Sequence, residues 1–255
     1  MRTLVAIPVY NEERYVEKVL QRVARFADEI LVIDDGSTDQ TPCLLARQPV
    51  EVIRHKENRG YGRALLDAFR WASVDGFDWV ITMDCDEQHE PAAIPHFVEA
   101  IRRDDADIIS GSRYLNLHEG DDVPPPDRRR INTMLTQEIN DRLGLSLTDS
   151  FCGFKAHRVS ALNRLDLSES GYAFPMQLWA QSAAAGLRIT EIPVRLIYND
   201  PTRTFGGPLD DPAERLTHYR DALNLAVEHA SDTHGDGRAK PMVTMGGLSN
   251  GCVRG

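Results

Sequence analysis

Residues 80–91 read VITMDCDEQHEP, so that Asp84, Asp86 and Glu87 crowd against Gln88 and His89 directly after an apolar run. Carboxylates this close repel and raise one another's pKa unless a cation or a hydrogen-bond network compensates. In an extended or turning backbone Asp84 and Asp86, two positions apart, point the same way, and Gln88 adds a neutral oxygen from that side. Two hard carboxylate oxygens and an amide suit Mg²⁺ or Mn²⁺, with positions left open for water or a substrate phosphate. The competing interpretation is an acidic turn with its charges in water. An aspartyl-phosphate phosphatase motif fits poorly, because Gln88 stands where Thr or Val is required and the cluster follows the fourth apolar run, not the first. A dinucleotide-binding fingerprint fits less well still, since no GxGxxG follows the first run.

The elements that must position these groups alternate. TLVAIPV (3–9), EILVID (29–34), VEVIRH (50–55), DWVITMD (78–84) and ADIISGSRY (106–114) read as buried strands. Between them, residues 12–27, 60–73 and 91–103 carry apolar side chains at helical spacing, and Ser37 and Asp39 suit a turn and helix cap after the second strand. This order predicts an α/β fold with a mostly parallel sheet sandwiched by helices. Ligands of such sheets bind beyond the carboxyl ends of the strands. The polar clusters YNE, DDGSTD and DCDEQ fall at those ends, which points to one shared site. The second half predicts a Pro/Asp/Arg-rich mobile loop at 116–130, helices near 128–143, 173–186 and 211–230, and a strand over 187–198. Residues 231–255 lack apolar periodicity and are expected to form a disordered tail behind one domain spanning 1–230.

The chain has 255 residues and a formal net charge of −10, which argues against general nucleic-acid binding. Acidity does not exclude an anionic substrate, because a metal and a few arginines reverse the field locally. Cys43, Cys85, Cys152 and Cys252 lie far apart without zinc-ligand spacing, as in a reduced cytoplasmic protein. No window reaches the ~18 apolar residues of a membrane span, and Pro8 and nearby charge interrupt the start too early for a signal peptide. The expected location is the cytoplasm, with peripheral contact at the membrane face.

Six segments in this order, IPVYNEE (7–13), VIDDGSTDQT (32–41), NRGYGRAL (58–65), MDCDEQHEP (83–91), SGSRY (110–114) and DSFCGFKA (149–156), resemble the family 2 glycosyltransferases of the GT-A fold. The nearer likeness is to the dolichyl-phosphate mannosyltransferase and polyprenyl-phosphate sugar-transferase branch, over roughly residues 3–200. The resemblance implies a nucleotide-sugar half, 1–114, and an acceptor half, 115–230. It implies a UDP- or GDP-sugar across the strand ends, with Pro8, Tyr10 and Glu12 lining the nucleoside pocket and Asp35 on the base or ribose. Asp84, Asp86 and Gln88 would then hold the metal on the diphosphate, and Arg113 would reach a phosphate. Gly60 stands at the donor side, where it and Gly62 could equally serve only the turn into a helix. Asp149 matches the family position near the acceptor: a base if the acceptor is a hydroxyl, an orienting group if it is a lipid phosphate, or simply a turn cap. Arg128, Arg129 and Arg130 form a basic run, either a phosphate clamp or a solvated helix start.

The function so implied is inverting, metal-dependent transfer to a polyprenyl (dolichyl or undecaprenyl) phosphate. A soluble hydroxyl acceptor and a non-catalytic nucleotide-sugar-binding module are the alternatives. Loop 115–127 is expected to order over bound donor. Three departures from the branch stand out: Cys85 and Glu87 replace small and apolar residues, NDPTRTFGGPLDDP (199–212) replaces a short basic segment, and no membrane anchor is evident. Arg203 is a candidate replacement for the missing basic contact.

Overall fold

The computed structural model describes residues 1–116, 120–199 and 204–234. Its centre is a seven-stranded sheet in the order β3-β2-β1-β4-β6-β5-β7. The strands are β1 (Thr3–Val9), β2 (Ile30–Asp34), β3 (Glu51–Arg54), β4 (Trp79–Thr82), β5 (Ile108–Ser112), β6 (Lys155–Arg158) and β7 (Ile189–Pro193). The α-helices among the described residues are α1 (Val16–Val23), α2 (Thr41–Leu45), α3 (Tyr61–Val74), α4 (Ile94–Arg102), α5 (Pro126–Leu143), α6 (Val159–Leu162), α7 (Phe174–Ala184) and α8 (Pro212–His234).

Strand alternation decides which residues serve which face. On β1, Leu4 and Ala6 join a core with Ala64, Leu65 and Phe69 of α3, Leu135 of α5 and Trp179 of α7. Val5, Ile7 and Val9 face the other way and pack with Val19 and Leu20 of α1 and Phe97 of α4. Because both faces are covered, β2, β4 and β5 are buried along their whole length, which is why they read as continuous apolar runs.

The sheet is mixed. β1 pairs in parallel with β2 and β4, β2 with β3, and β5 with β7. β6 runs antiparallel between β4 and β5. The mostly parallel expectation holds, and the missed strand is β6, whose sequence KAHR carries none of the apolar run that marked the others. Smaller differences have local causes. α1 begins at Val16, because Glu12 to Tyr15 form a turn in which the Tyr15 and Val16 amides donate to the Glu12 carbonyl. α5 begins at Pro126, a residue suited to a first helical position, and ends at Gly144 in the left-handed conformation. β7 stops at Pro193; Leu196 and Tyr198 instead bond to Asp121 and Asp122. α8 runs to His234, past the expected start of the tail, and 235–255 lie outside the described residues, as do Arg203 and residues 117–119 of the 115–127 loop. Among the described residues no helix is long and apolar enough to cross a membrane.

Candidate active site

The parallel strands β1, β2 and β4 end at one edge of the sheet, and a cavity of about 470 Å³ opens there. One side is lined by Pro8 near the end of β1, by Tyr10 and Glu12 after it, by Asp35 after β2 and by Gly60 before α3. Asp35 builds this side as well as facing it. Its Oδ1 accepts from the Arg59 amide at 2.9 Å and meets His55 Nδ1 at 2.6 Å, and its Oδ2 accepts from the Gly60 amide at 2.8 Å. Gly60 has φ +99°, and a Cβ there would lie 2.3 Å from the Ser170 carbonyl oxygen, so only glycine fits this entry to α3.

Asp84, Asp86 and Gln88 form the floor. The Asp84 amide donates to His89 Nδ1 at 2.9 Å, and the Tyr61 hydroxyl donates to Asp84 Oδ1 at 3.0 Å. Burial first, and then the Asp84 charge, pushes the Tyr61 phenol well above its ordinary pKa, which keeps it a donor. Asp86 Oδ1 accepts from the Gln88 amide at 3.0 Å, and its carbonyl accepts from Asn199 Nδ2 at 2.9 Å. The extra charge of Glu87 does not join the floor. Its backbone takes φ +60°, and its carboxylate pairs with Lys18 at 2.6 Å and Arg22 at 3.7 Å on α1. Cys85 is buried in the core beneath the turn and touches the cavity wall.

Among the described residues no group of three or more His, Cys, Asp and Glu side chains is placed to hold a metal by itself. The donor set instead suits a Mg²⁺-type ion that takes one or two carboxylates from protein and the rest of its oxygens from water and substrate phosphate. Asp84 and Asp86 would supply those carboxylates from the cavity floor, which Gln88 also lines.

The far end is built of rings and guanidiniums: Arg113, Tyr114, Arg128, Phe151, Tyr172, Tyr198, Phe205, Arg215 and Tyr219 all reach the cavity. Arg128 lies 4.9 Å from the Phe205 ring centroid and Arg215 4.7 Å from it. Arg215 is 3% exposed and donates to Asp127 Oδ2 at 2.6 Å. Arg113 grips Asp149 through Nε and Nη2 at 2.6 and 2.9 Å. Burial alone would raise the Asp149 pKa; the Arg113 charge and bonds from Arg113 and Asn132 outweigh it and hold the carboxyl well below the usual range. Asp149 is fully buried behind Arg113 and does not line the cavity. Of the arginine run, Arg128 reaches the cavity, Arg129 covers the Tyr114 ring at 3.6 Å, and Arg130 is exposed and does not line it.

Residues 4–166, including the polar ends of β1, β2 and β4 and the arginine that grips Asp149, match the model of the family described as Glycosyl transferase family 2. The chain belongs to glycosyl transferase family 2. This glycosyltransferase is 32% identical over 232 residues to the undecaprenyl-phosphate mannosyltransferase of Micrococcus luteus, covering 86% of this chain and 94% of the relative. It is 32% identical over 206 residues to the polyprenol monophosphomannose synthase of Mycolicibacterium smegmatis, covering 76% of each chain. Its fold matches glucosyl-3-phosphoglycerate synthase of Mycobacterium tuberculosis, solved with Mn²⁺, UDP and glucosyl-3-phosphoglycerate, at a TM-score of 0.69 and 20% identity over 89% of this chain and 80% of that one. The glycosyltransferase therefore has the GT-A fold.

Sequence reasoning gave no role to Tyr61, Tyr172, Phe205 or Arg215. Tyr61 lies in NRGYGRAL between Gly60 and Gly62, where a turn into a helix accounts for the pattern without giving the ring a task. Arg215 stands one turn before Tyr219 and in line with Leu223 and Ala226 on the buried face of α8, but an arginine is not expected in a core position until its partner Asp127 is known.

Proposed function

We propose that this glycosyltransferase moves a sugar, with inversion, from a UDP- or GDP-sugar to a polyprenyl phosphate at a membrane face, using Mg²⁺ or Mn²⁺. The observation that carries this is the single cavity running from Pro8, Tyr10, Glu12 and Asp35, past Asp84, Asp86 and Gln88, to Arg113 and Arg128. Carboxylates at one end accept hydrogens from a base or ribose, and guanidinium forks at the other match phosphate oxygens.

In this mechanism Pro8, Tyr10 and Glu12 seat the nucleoside, and Asp35 contacts it while holding the Gly60 turn. Asp84, Asp86 and Gln88 would hold the divalent ion, which when bound offsets charge on the departing nucleoside diphosphate. Arg113 and Arg128 orient the acceptor phosphate for attack on the anomeric carbon from the face opposite the leaving group. The C–O bond to the diphosphate breaks as the new one forms, giving inversion. A phosphate oxygen is already anionic, so no side chain need remove a proton. The burial of Asp149 supports that acceptor class: its carboxylate orients Arg113 and is out of reach of a hydroxyl.

The test is turnover of radiolabelled UDP- and GDP-sugars with and without polyprenyl phosphate, with the anomeric configuration of the product read by NMR. Expected are transfer to the lipid phosphate with an inverted anomer, loss of turnover in EDTA, and a fall of about 100-fold or more in Asp86→Ala with folding retained. Full activity of Asp86→Ala removes the metal assignment. Transfer to hydroxyl acceptors alone removes the lipid one.

A further inference from the structure

We propose that Tyr61 is a positioning residue for Asp84, its hydroxyl holding that carboxylate in the orientation in which it takes up the divalent ion. The inference rests on the assignment of Asp84 as a metal ligand and adds a residue that this assignment does not require.

Four observations converge on it. First, the backbone that carries Tyr61 is pinned: the preceding Gly60 amide donates to Asp35 Oδ2 at 2.8 Å, and the Gly60 Cα sits where a side chain would strike the Ser170 carbonyl. Second, the ring is held, stacked on Tyr172 with centroids 6.0 Å apart and planes 17° from parallel, while Phe205 meets Tyr172 edge-on at 5.6 Å. Third, the hydroxyl donates to Asp84 Oδ1 at 3.0 Å. Fourth, the space for that bond is kept open from behind by Gly153, where a Cβ would lie 2.6 Å from Asp84 Oδ2 and 2.8 Å from the Tyr61 oxygen. His89 completes the arrangement by accepting from the Asp84 amide, so it fixes the backbone of that residue while Tyr61 fixes its side chain.

The physical consequence concerns cost. A carboxylate free to rotate must give up that freedom when it binds an ion, whereas one already held does not. Partners that orient a ligating side chain are typically worth about 10–100-fold in metal affinity. Tyr61 also joins two of the three strand ends at that edge: its chain neighbour is tied to Asp35 after β2, and its side chain to Asp84 after β4.

Tyr61→Phe keeps the ring and its stack and removes only the hydroxyl. The experiment measures Mn²⁺ affinity of the full chain by electron paramagnetic resonance of free Mn²⁺, with UDP and with GDP present, alongside the Mn²⁺ dependence of turnover. Expected is cooperative melting like that of the parent, Mn²⁺ affinity weaker by about tenfold, and a matching rise in the Mn²⁺ needed for half-maximal rate, with kcat at saturating Mn²⁺ largely retained. A merely structural tyrosine would lower kcat or stability and leave Mn²⁺ affinity within about twofold of the parent. That result overturns the inference alone. Failure of the parent protein to bind Mn²⁺ with either nucleotide overturns the metal assignment and this inference together.

Discussion

Asp149 accepts hydrogens from Arg113 Nε and Nη2, from Asn132 Nδ2 and from the Arg113 and Phe151 amides. A carboxylate has about four lone-pair sites, so these donors fill it and leave none for a substrate proton. Asp149→Asn should therefore behave as a broken ion pair. Arg113 would stay almost buried with no counter-charge, at a cost of about 3 kcal/mol, read by urea denaturation at neutral pH. The sign with pH follows from the depressed pKa. The parent's advantage is fully present above the ordinary aspartate value of 3.8 and is lost as pH falls below it, so the two proteins should converge in acid. A catalytic base would instead give a variant as stable as the parent with turnover abolished. Both residues were visible as candidates in the sequence, but not their pairing, which joins positions 36 apart.

At the level of elements, β6 organises the cavity floor although its sequence hides it. The strand places Lys155 and His157 in the interior, at 4% and 2% exposure, and the loop leading into it brings Gly153 against Asp84. Gly153→Ala pushes a methyl group into the space of the Asp84 carboxylate and the Tyr61 hydroxyl. A displacement of about 1 Å there should lower turnover by about 100-fold in a steady-state assay. His157 carries a second expectation. Burial, and then the Lys155 charge, pushes its pKa down to about 3 from 6.5. Between those values the unfolded chain binds a proton that the folded one refuses, so stability falls as pH drops through that window. For this residue the slope reaches about 1.4 kcal/mol per pH unit. His157→Phe should flatten the stability–pH curve below pH 6.5, measured by denaturant titration, and an unchanged slope would remove His157 as its source. The apolar strands were legible because each is buried on both faces. β6 was not, because a buried lysine and histidine look like loop residues until their partners are known.

On the scale of the whole molecule, a chain of net charge −10 presents Arg113, Arg128 and Arg215 to one cavity, so the field that a phosphate meets there is local. A donor bound by the folded state alone raises stability by about 2.7 kcal/mol at one hundred times its Kd. For a protein of this size that is a rise in Tm of roughly 5–10 °C. Thermal melts with UDP- and GDP-sugars plus Mn²⁺ should show it for one base over the other, and no shift with any of them would count against a nucleotide-sugar donor. By itself the sequence determined the strand–helix alternation, the covered sheet and the gathering of YNE, DDGSTD and DCDEQ at one edge, because these follow from periodicity and from polar residues next to strand ends. Tertiary structure alone decided that β6 inserts antiparallel, that Asp149 is sealed behind Arg113, that Glu87 turns to α1, and that Tyr61 meets Asp84. Each of those is a contact between residues distant in the chain, whose closure is settled by packing and charge compensation in the folded whole and leaves no trace in local pattern.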